Sequence, residues 1–470
     1  MSTVSTPSAG RPQPPLPVIF AFGSVGLPLA ALLLTTGLYL PRYYVGLGIP
    51  FAAVGLAIAV VRLCDVGLDP MMAIFMDRTK TPIGRYRPWL ILGLPFILAG
   101  VYMLLMPNGR QSVGYLILWL LVVYAGNSML SLGVASWGAV LAKDYNGRAR
   151  LYGWIQALAV LGSTSLLILP LVTHHKVVPG AAASMPTLAW ILIVAFPIAV
   201  LICTSLTPER IAQPAAKPKF TFADYRAAIS RPSILRIILA DLALTLGPGT
   251  TGPIYIYFFK DAKGFTVAEA GYLLIFYGGI GIIGAPFWGR LARRFGKHRT
   301  IQIACVAYAI TQTALMALPR VWPHHTLLQG VPTAIGMACV GFCASAFGLL
   351  VRSMVADVVD EVRLEQGKDL TSLLYSMVTT TTKIGAAITV SIVFPILQMV
   401  GYNGGETAVN TPHAIFGLEM CYLFAPIILV WFGGAMFFGY KLDSARHAEI
   451  RAALDERDSL VIEAPMVEGV

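Results

Sequence analysis

Long apolar runs, separated by short polar segments, extend over most of the chain. A helix needs about 20 apolar residues to cross the hydrocarbon core of a bilayer. By that rule the pattern predicts membrane-spanning helices near residues 17–41, 48–76, 88–107, 113–142, 150–173, 187–207, 233–259, 266–292, 299–319, 327–356, 372–400 and 413–440. The predicted fold class is an all-α polytopic membrane protein with twelve transmembrane helices.

The longest polar stretch, TPERIAQPAAKPKFTFADYRAAISRPS, follows the sixth span and divides the twelve spans into two sets of six. The domains predicted from this division are an N-terminal tail over 1–16, six-helix bundles over 17–207 and 233–440, a linker over 208–232 and a C-terminal tail over 441–470. The polar, Pro-rich start lacks the charged region and cleavage site of a signal peptide, so we expect the first span to be retained.

The composition supports a membrane protein and excludes other classes. Charged residues make up 12% of the chain and hydrophobic residues 57%, with a mean hydropathy of +0.73, whereas soluble domains carry about 25% charged residues. The net charge of +11 lies in short clusters between apolar runs, which argues against nucleic-acid binding. No Walker lysine motif is present, so no nucleotide partner is expected. The predicted partners are the lipid bilayer and a small-molecule substrate.

Catalysis and metal binding find little support in the sequence. No His–carboxylate or Ser–His pairing occurs at helix spacing, so no catalytic residue is predicted and the chain is not expected to be an enzyme. All six cysteines lie within apolar runs, and the pairs 174–175 and 324–325 of histidines have no acidic or Cys partner nearby. No metal site is therefore predicted.

The basic residues are distributed unequally between alternate loops. DRTKTPIGRYRP, after span two, and GRLARRFGKHRT, after span eight, are strongly basic, whereas MPNGRQS and VTHHKVVPG carry one Lys or Arg each. Basic loops remain on the cytoplasmic side of a membrane. This predicts that both termini are cytoplasmic and that the protein lies in the cell (inner) membrane.

The two basic loops also resemble each other. Pro70 is followed seven residues on by Asp77-Arg78 and then by GRYR over 84–87, while Pro286 is followed seven on by Arg293-Arg294 and then by GKHR over 296–299. A parallel repeat six spans apart predicts the major facilitator fold, with its site near the midplane between the halves. Alternatively, any cytoplasmic loop could collect Gly and Arg.

Span two carries three charges within an apolar run. Arg62, Asp65 and Asp69 are three and four residues apart, so they share one helical face. Asp65 lies twelve residues before Asp77, which is about 18 Å along a helix. A charge at that depth costs at least about 2.5–3.5 kcal/mol, so we expect these side chains to face protein or a water-filled cavity.

Span eleven offers a partner of opposite charge. Lys383 lies twelve residues after Thr371, again about 18 Å deep. We predict an ion pair between Lys383 and the acids of span two, across the central cavity. A purely structural pair that holds the halves together is the alternative. Two carboxylates on one face favour retention of a proton by one of them, which suits ion or proton coupling.

RLCDVGLDPMMAIFMDRTKTPIGRYRPW resembles the second-helix signature of the glycoside–pentoside–hexuronide:cation symporters, whose usual form is R-x-x-D-x-x-x-D-P, a D-R-T pair and G-R-x-R-P-W. SMVADVVDEVRLEQGKDLTSLLYSMVTTTTKIG resembles the tenth and eleventh helices of that family, including Lys383. The resemblance covers essentially the whole chain. It implies a major facilitator fold and cation-coupled sugar symport, with Asp65 and Asp69 as the cation-coupling site and Lys383 near it.

The chain also departs from that family. Leu68 stands where sodium-using members often carry Asn, and Pro28, Gly133 and Gln156 stand where melibiose-permease-like members carry sugar-binding charged residues. Sodium needs several oxygen ligands, whereas a proton needs one carboxylate. We therefore favour H⁺ over Na⁺ as the coupling ion and expect no other cofactor. The same departures leave open a less polar substrate, such as an aryl glycoside, a sterol-like molecule or a terpenoid.

Two further sets of candidate residues follow from this interpretation. The candidate substrate-cavity residues are Arg62, Asn127, Ser131, Trp137, Gln156, Tyr375, Thr379 and Thr382. The candidate cytoplasmic-gate residues are Asp77, Arg78, Arg85, Arg87, Arg293 and Arg294. Trp137 and the tyrosines could instead be packing or interface residues.

The function predicted from the sequence is secondary active transport. A cation, H⁺ favoured over Na⁺, would be carried with a small organic solute, a sugar or glycoside by resemblance, by alternating access. One alternative is a proton-coupled exporter of a less polar organic compound. The other is a non-transporting membrane receptor.

Overall fold

Twelve helices carry the fold in the computed structural model. They are α1 (Leu16–Gly46), α2 (Phe51–Arg78), α3 (Arg87–Leu105), α4 (Val113–Leu141), α5 (Tyr145–Val172), α6 (Met185–Leu206), α7 (Pro232–Ala262), α8 (Val267–Phe295), α9 (Lys297–Ala317), α10 (Leu327–Gln366), α11 (Thr371–Met399) and α12 (Pro412–Ala435). Each is long and apolar enough to cross a membrane. The twelve predicted spans are confirmed.

The structure describes most of the chain, with gaps mainly in loops and tails. The described residues are 15–79, 81–109, 111–141, 145–173, 182–209, 230–321, 327–366, 371–405, 408–440, 446, 449–450, 452–454 and 456. Most of the predicted tails and of the linker over 208–232 therefore lie outside the described residues.

Proline and polar caps set where several helices begin. A proline occupies the first turn of α3, α6, α7 and α12, where its missing N–H has no partner to lose. α8 begins at a capping box, in which the Thr266 side chain accepts from the Glu269 N–H and the Glu269 carboxylate accepts from the Thr266 N–H. These local signals set the helix starts on which the tertiary contacts depend.

Two helices extend further than the hydropathy pattern predicted. α1 continues to Gly46 through a π-helical turn over Thr35–Tyr39; Pro41 cannot donate to the Gly37 carbonyl four residues earlier, which favours a wider turn. α10 continues to Gln366, ten residues beyond the predicted end, because DEVRLEQ contains mostly good helix formers.

The helices pack as two bundles. Within the first bundle, α3 packs on α4 and α6, α2 on α4, and α1 on α5 and α6. Within the second bundle, α8 packs on α10, α7 on α11 and α12, and α9 on α10 and α12. The main contacts between the bundles join α2 to α11 and α5 to α8, with the π-helical turn of α1 against α7.

The two ends of the bundles carry different residues, and we name them accordingly. The aromatic end contains Phe51, Tyr257 and Tyr402, and the basic end contains residues 78–87 and 290–299. α2 runs from the aromatic to the basic end and α11 runs the opposite way. At the aromatic end Phe51 packs on Phe394 of α11, with 5.0 Å between ring centroids, and on Tyr402, at 5.9 Å.

Candidate functional site

The centre of the α2–α11 contact holds an ion pair between the bundles. Lys383 Nζ lies 2.9 Å from Asp65 Oδ2 and also donates to Asp69 Oδ2. The structure thus contains the ion pair between span two and span eleven that the equal predicted depths of Asp65 and Lys383 suggested. Because Asp65 and Asp69 belong to the first bundle and Lys383 to the second, one ammonium links two carboxylates across the bundle boundary.

The four oxygens of the two carboxylates differ in their partners. Asp65 is 7% exposed, and its Oδ1 accepts from the Ser128 hydroxyl of α4 at 2.7 Å. Both Oδ2 atoms accept from Lys383. Asp69 Oδ1 is buried and has no hydrogen-bond partner among the described residues. A buried polar atom without a partner is unfavourable, so Asp69 Oδ1 is the carboxylate oxygen of this cluster at which a further hydrogen-bond donor could bind.

Access to the charges is partial. The side chain of Asp69 is 22% exposed and that of Lys383 is 32% exposed, against 9% for Asp65. Solvent therefore reaches the outer part of the cluster while Asp65 stays sheltered.

Arg62 lies one helical turn from this cluster, towards the aromatic end. Its Nη1 donates to the Ala386 carbonyl of α11 at 2.6 Å. The antiparallel register is regular, because Arg62 faces residue 386 just as Asp65 faces residue 383. α2 and α11 therefore bring all three charges of α2 to the bundle boundary, as their shared helical face predicted.

A cavity of about 320 Å³ adjoins Arg62 between the two bundles. Its walls come from α1, α2, α7, α8 and α11. Its size is at the lower end of the range for small-molecule sites. Of the predicted substrate-cavity residues whose side chains the structure describes, only Arg62 lies in its wall.

The other predicted substrate-cavity residues of the first bundle lie elsewhere. Trp137 is fully buried, 5.5 Å from the Phe22 ring and 5.8 Å beneath the Arg87 guanidinium, so it is a packing residue in this conformation. Ser131 and Gln156 are exposed, and Asn127 is half-buried beside Ser128. Gln156 lies on the same face of α5 as Leu167, which approaches Gly271 of the second bundle.

The remaining residues of that set lie on α11. The Thr382 hydroxyl donates to Asp241 of α7 at 3.2 Å and to the Val378 carbonyl at 3.1 Å, so it faces its own bundle. Tyr375 and Thr379 also lie on α11. Their side chains, like that of the candidate gate residue Asp77 on α2, lie outside the part of the chain that the structure describes.

The basic loop after α2 is bonded to its own bundle. Glu209, which follows α6, accepts from the backbone N–H groups of Arg85 at 2.5 Å, Tyr86 at 2.8 Å and Arg87 at 3.3 Å. The Arg87 Nη2 donates to the Thr207 carbonyl at 2.8 Å. Gly84 has φ +121°, and a Cβ there would lie 2.1 Å from the Glu209 carboxylate, so the loop requires glycine.

The equivalent loop after α8 follows the same plan with other residues. Gly296 has φ +86°, and the next residue, Lys297, pairs with Asp357 of α10 at 2.6 Å. Arg293 and Arg294 are exposed, as is Arg78 in the first loop. Arg85 donates to the Met76 carbonyl and Arg87 to the Thr207 carbonyl, both within the first bundle, whereas the sequence analysis predicted that these residues form a gate.

Several contacts of this site were not predicted. Glu209 holds a loop more than 120 residues earlier in the chain, and no spacing rule connects such distant positions. Asp241 is buried and faces Thr382. The sequence indicated a role for it only through the presence of an acid in an apolar span. Ser128 has a weak signal as well, because a polar residue inside an apolar helix requires a partner.

Comparison with known proteins agrees with this architecture. The family model described as MFS/sugar transport protein matches residues 19–444. The isoprimeverose transporter of Lactiplantibacillus pentosus is 25% identical over 446 residues, covering 89% of each chain. The glucuronide carrier protein homolog of Escherichia coli is 23% identical, covering 89% of this chain and 91% of that one. A putative glycoside/cation symporter of E. coli is 24% identical, covering 85% and 86%.

Solved structures share the fold. The nucleoside transporter NupG superposes with a TM-score of 0.68 at 15% identity, covering 91% of this chain and 99% of that one. A bacterial homolog of the lysosomal transporter Spinster gives a TM-score of 0.63 at 11% identity, covering 93% and 97%. The major facilitator fold and the resemblance to the glycoside–pentoside–hexuronide:cation symporters are both confirmed.

Proposed function

The chain belongs to the MFS/sugar transport protein family, and from that premise we propose that it is a secondary active transporter. It carries a small organic solute, a sugar or glycoside by resemblance to its named relatives, together with a cation. The cation is H⁺ rather than Na⁺. The two bundles rock against each other and expose the site to one side of the membrane at a time.

The ion pair of Lys383 with Asp65 and Asp69 carries this proposal. A cation that binds the carboxylates competes with the Lys383 ammonium and so weakens a bond between the bundles. Cation binding thereby changes the relative free energies of the two conformations, which is the requirement for coupling. A pair that only held the bundles together would need a single carboxylate.

The partners of the carboxylate oxygens support H⁺ over Na⁺. Three of the four oxygens already accept hydrogen bonds from Ser128 or Lys383, and only Asp69 Oδ1 has no partner among the described residues. One oxygen is sufficient for a proton, whereas Na⁺ requires several. Protonation of Asp69 would release Lys383 from it and leave Asp65 paired.

The distribution of inter-bundle contacts supports alternating access. Phe51 and Tyr402 join the bundles at the aromatic end, while the bonds of Glu209 and Lys297 at the basic end stay within one bundle. By the positive-inside rule the basic end and both termini are cytoplasmic. The conformation is then open to the cytoplasm.

The test is transport in liposomes, with isoprimeverose and a phenyl glucuronide as probes because relatives are named for such solutes. We expect Asp69→Asn to abolish uptake against a gradient, driven by an imposed pH difference, and to retain exchange of solute across the membrane. Asp241→Asn is the matched control, because Asp241 is also a buried acid with a hydroxyl donor but faces its own bundle.

Four results would contradict the proposal. Full coupling in both Asp65→Asn and Asp69→Asn would show that these residues do not form the cation site. Uptake that requires Na⁺ and does not depend on pH would show that the coupling ion is Na⁺ and not H⁺. Tight binding of a probe without any turnover would favour a receptor, and outward flux against the same pH difference would favour the exporter.

A further inference from the structure

The cavity beside Arg62 limits what the transporter can carry. Among the described residues of its wall, the polar side chains besides Arg62 are Thr245 and Thr389, and the Thr389 hydroxyl already donates to the Gly385 carbonyl at 2.9 Å. The rest of the wall is glycine, proline, alanine and residues such as Leu38 and Val390. Each sugar hydroxyl buried here without a partner would weaken binding. The walls therefore favour an apolar body.

Arg62 provides one strong polar contact in this apolar wall. Its guanidinium has five N–H donors in a planar fork that matches a carboxylate. It bonds the Ala386 carbonyl, and no salt bridge to it occurs among the described residues. Asp65 and Asp69 are both occupied by Lys383. The fork is therefore available to an anionic group of a ligand.

The charges of the site give a reason for an anion. Arg62, Asp65, Asp69 and Lys383 together have zero formal charge. A cation bound alone leaves one uncompensated positive charge in a sheltered site, which is unfavourable. A ligand carboxylate bound to Arg62 restores neutrality. Arg62 lies one helical turn, about 5 Å along the helix, from Asp65. Anion and cation would then each favour the binding of the other.

We propose that the solute is an amphipathic organic carboxylate, with an apolar body in the cavity and its carboxylate on Arg62. This inference rests on the proposed coupled transport of a small organic solute, and it replaces the sugar or glycoside expected from the named relatives with a carboxylate. Arg62 is then the residue that selects the solute, and the cation site next to it responds to the charge of that solute. The carboxylate makes two charge-assisted hydrogen bonds and no covalent bond.

The test measures binding to the full-length protein in detergent by titration calorimetry, with three probes. They are 3-phenylpropionate, its neutral isostere 3-phenylpropionamide, and phenyl β-glucoside. A hydrogen bond to a charged group contributes enough that the amide should bind at least about tenfold more weakly than the carboxylate. Arg62→Gln should reduce the affinity for the carboxylate to that for the amide, and Arg62→Lys should recover part of it.

A second variant keeps the test valid if substitution of Arg62 disturbs the ion cluster. Gly252 lies in the cavity wall, and a Cβ there meets nothing within 4 Å, so the position accepts a side chain. Gly252→Leu should occupy part of the cavity and abolish binding of the carboxylate. Gly348→Leu is the matched control, because Gly348 is an equally open helical glycine outside the cavity wall.

The outcomes separate this inference from the proposed function. Binding of phenyl β-glucoside without binding of the carboxylate would contradict the inference that the solute is an anion, and the proposed coupled transport would still stand. Equal binding of carboxylate and amide, or unchanged binding in Gly252→Leu, would also overturn it. Carboxylate binding that depends on Arg62 and Gly252 supports the inference even if the liposome assay shows no coupling.

Discussion

The aromatic and basic ends of the molecule differ in what their contacts join. At the aromatic end, Phe51 of the first bundle packs on Tyr257, Phe394 and Tyr402 of the second, and the Ala52 N–H donates to the Gln398 side chain at 3.0 Å. At the basic end, Glu209 and Lys297 each bond their own bundle. One end therefore holds the bundles together, and the other holds each bundle rigid.

The chemistry of each end suits its task. Aromatic rings can separate without leaving a charge unpaired, so a contact built mainly from them can open reversibly. A carboxylate that accepts three backbone N–H groups cannot be removed without leaving buried donors, so such bonds are suited to parts that do not move. The difference teaches that a charged contact between the bundles needs a reason to be able to separate. For the pair at Lys383, the proposed function supplies that reason, because the coupling cation would compete with the lysine for the carboxylates.

Removal of the Phe51 ring tests the aromatic end and should have the largest effect. Phe51 is 5% exposed, and a buried Phe→Ala change costs about 3–5 kcal/mol. Here the lost stabilisation belongs to the conformation that is closed at the aromatic end, so the population shifts towards the conformation that is open at that end. We expect Phe51→Ala to accelerate hydrogen exchange of the amides at residues 51–56.

The control removes an equivalent ring that lies outside the contact. Phe416 of α12 is 57% exposed, so Phe416→Ala should leave that exchange unchanged. If Phe51→Ala lowers stability but the 51–56 amides exchange at the original rate, then Phe51 is a core residue of one bundle and does not close the aromatic end.

The sequence was sufficient for the span count and for one contact of the site, and for clear physical reasons. Hydropathy sets the spans, and a rise of about 1.5 Å per residue gave Asp65 and Lys383 equal depth. For Trp137 the sequence left both a cavity role and a packing role open, and the structure shows packing; a periodic pattern could not decide between them, because it does not tell which neighbour a face meets. Glu209 could not be found either, since its role depends on how α6 ends relative to the loop before α3.

Substitution of Glu209 tests the basic end and should have an intermediate effect. The carboxylate lies at the start of α3, where the free N–H groups and the helix dipole favour a negative charge. Glu209→Gln keeps the shape and removes the charge, which should lower the free energy of unfolding by about 1–2 kcal/mol. Thermal unfolding and hydrogen exchange of residues 85–90 measure this.

The matched control is another charge at a helix start. Glu269 completes the capping box of α8 from within its own first turn, at an exposed site, so Glu269→Gln should have the smaller effect. Faster exchange at residues 51–56 in Glu209→Gln would indicate that the loop bears on the contact between the bundles, and the distinction between the two ends would fail.

Arg293 should give the smallest effect and tests whether the basic end is open. Its side chain is exposed, and surface substitutions without specific contacts change stability by less than about 0.5 kcal/mol. We expect Arg293→Gln to leave the thermal unfolding of the detergent-purified protein essentially unchanged. A loss as large as that of Glu209→Gln would mean that Arg293 is bonded in solution. The gate predicted from the sequence would then be closed at the end where Glu209 and Lys297 bond their own bundles.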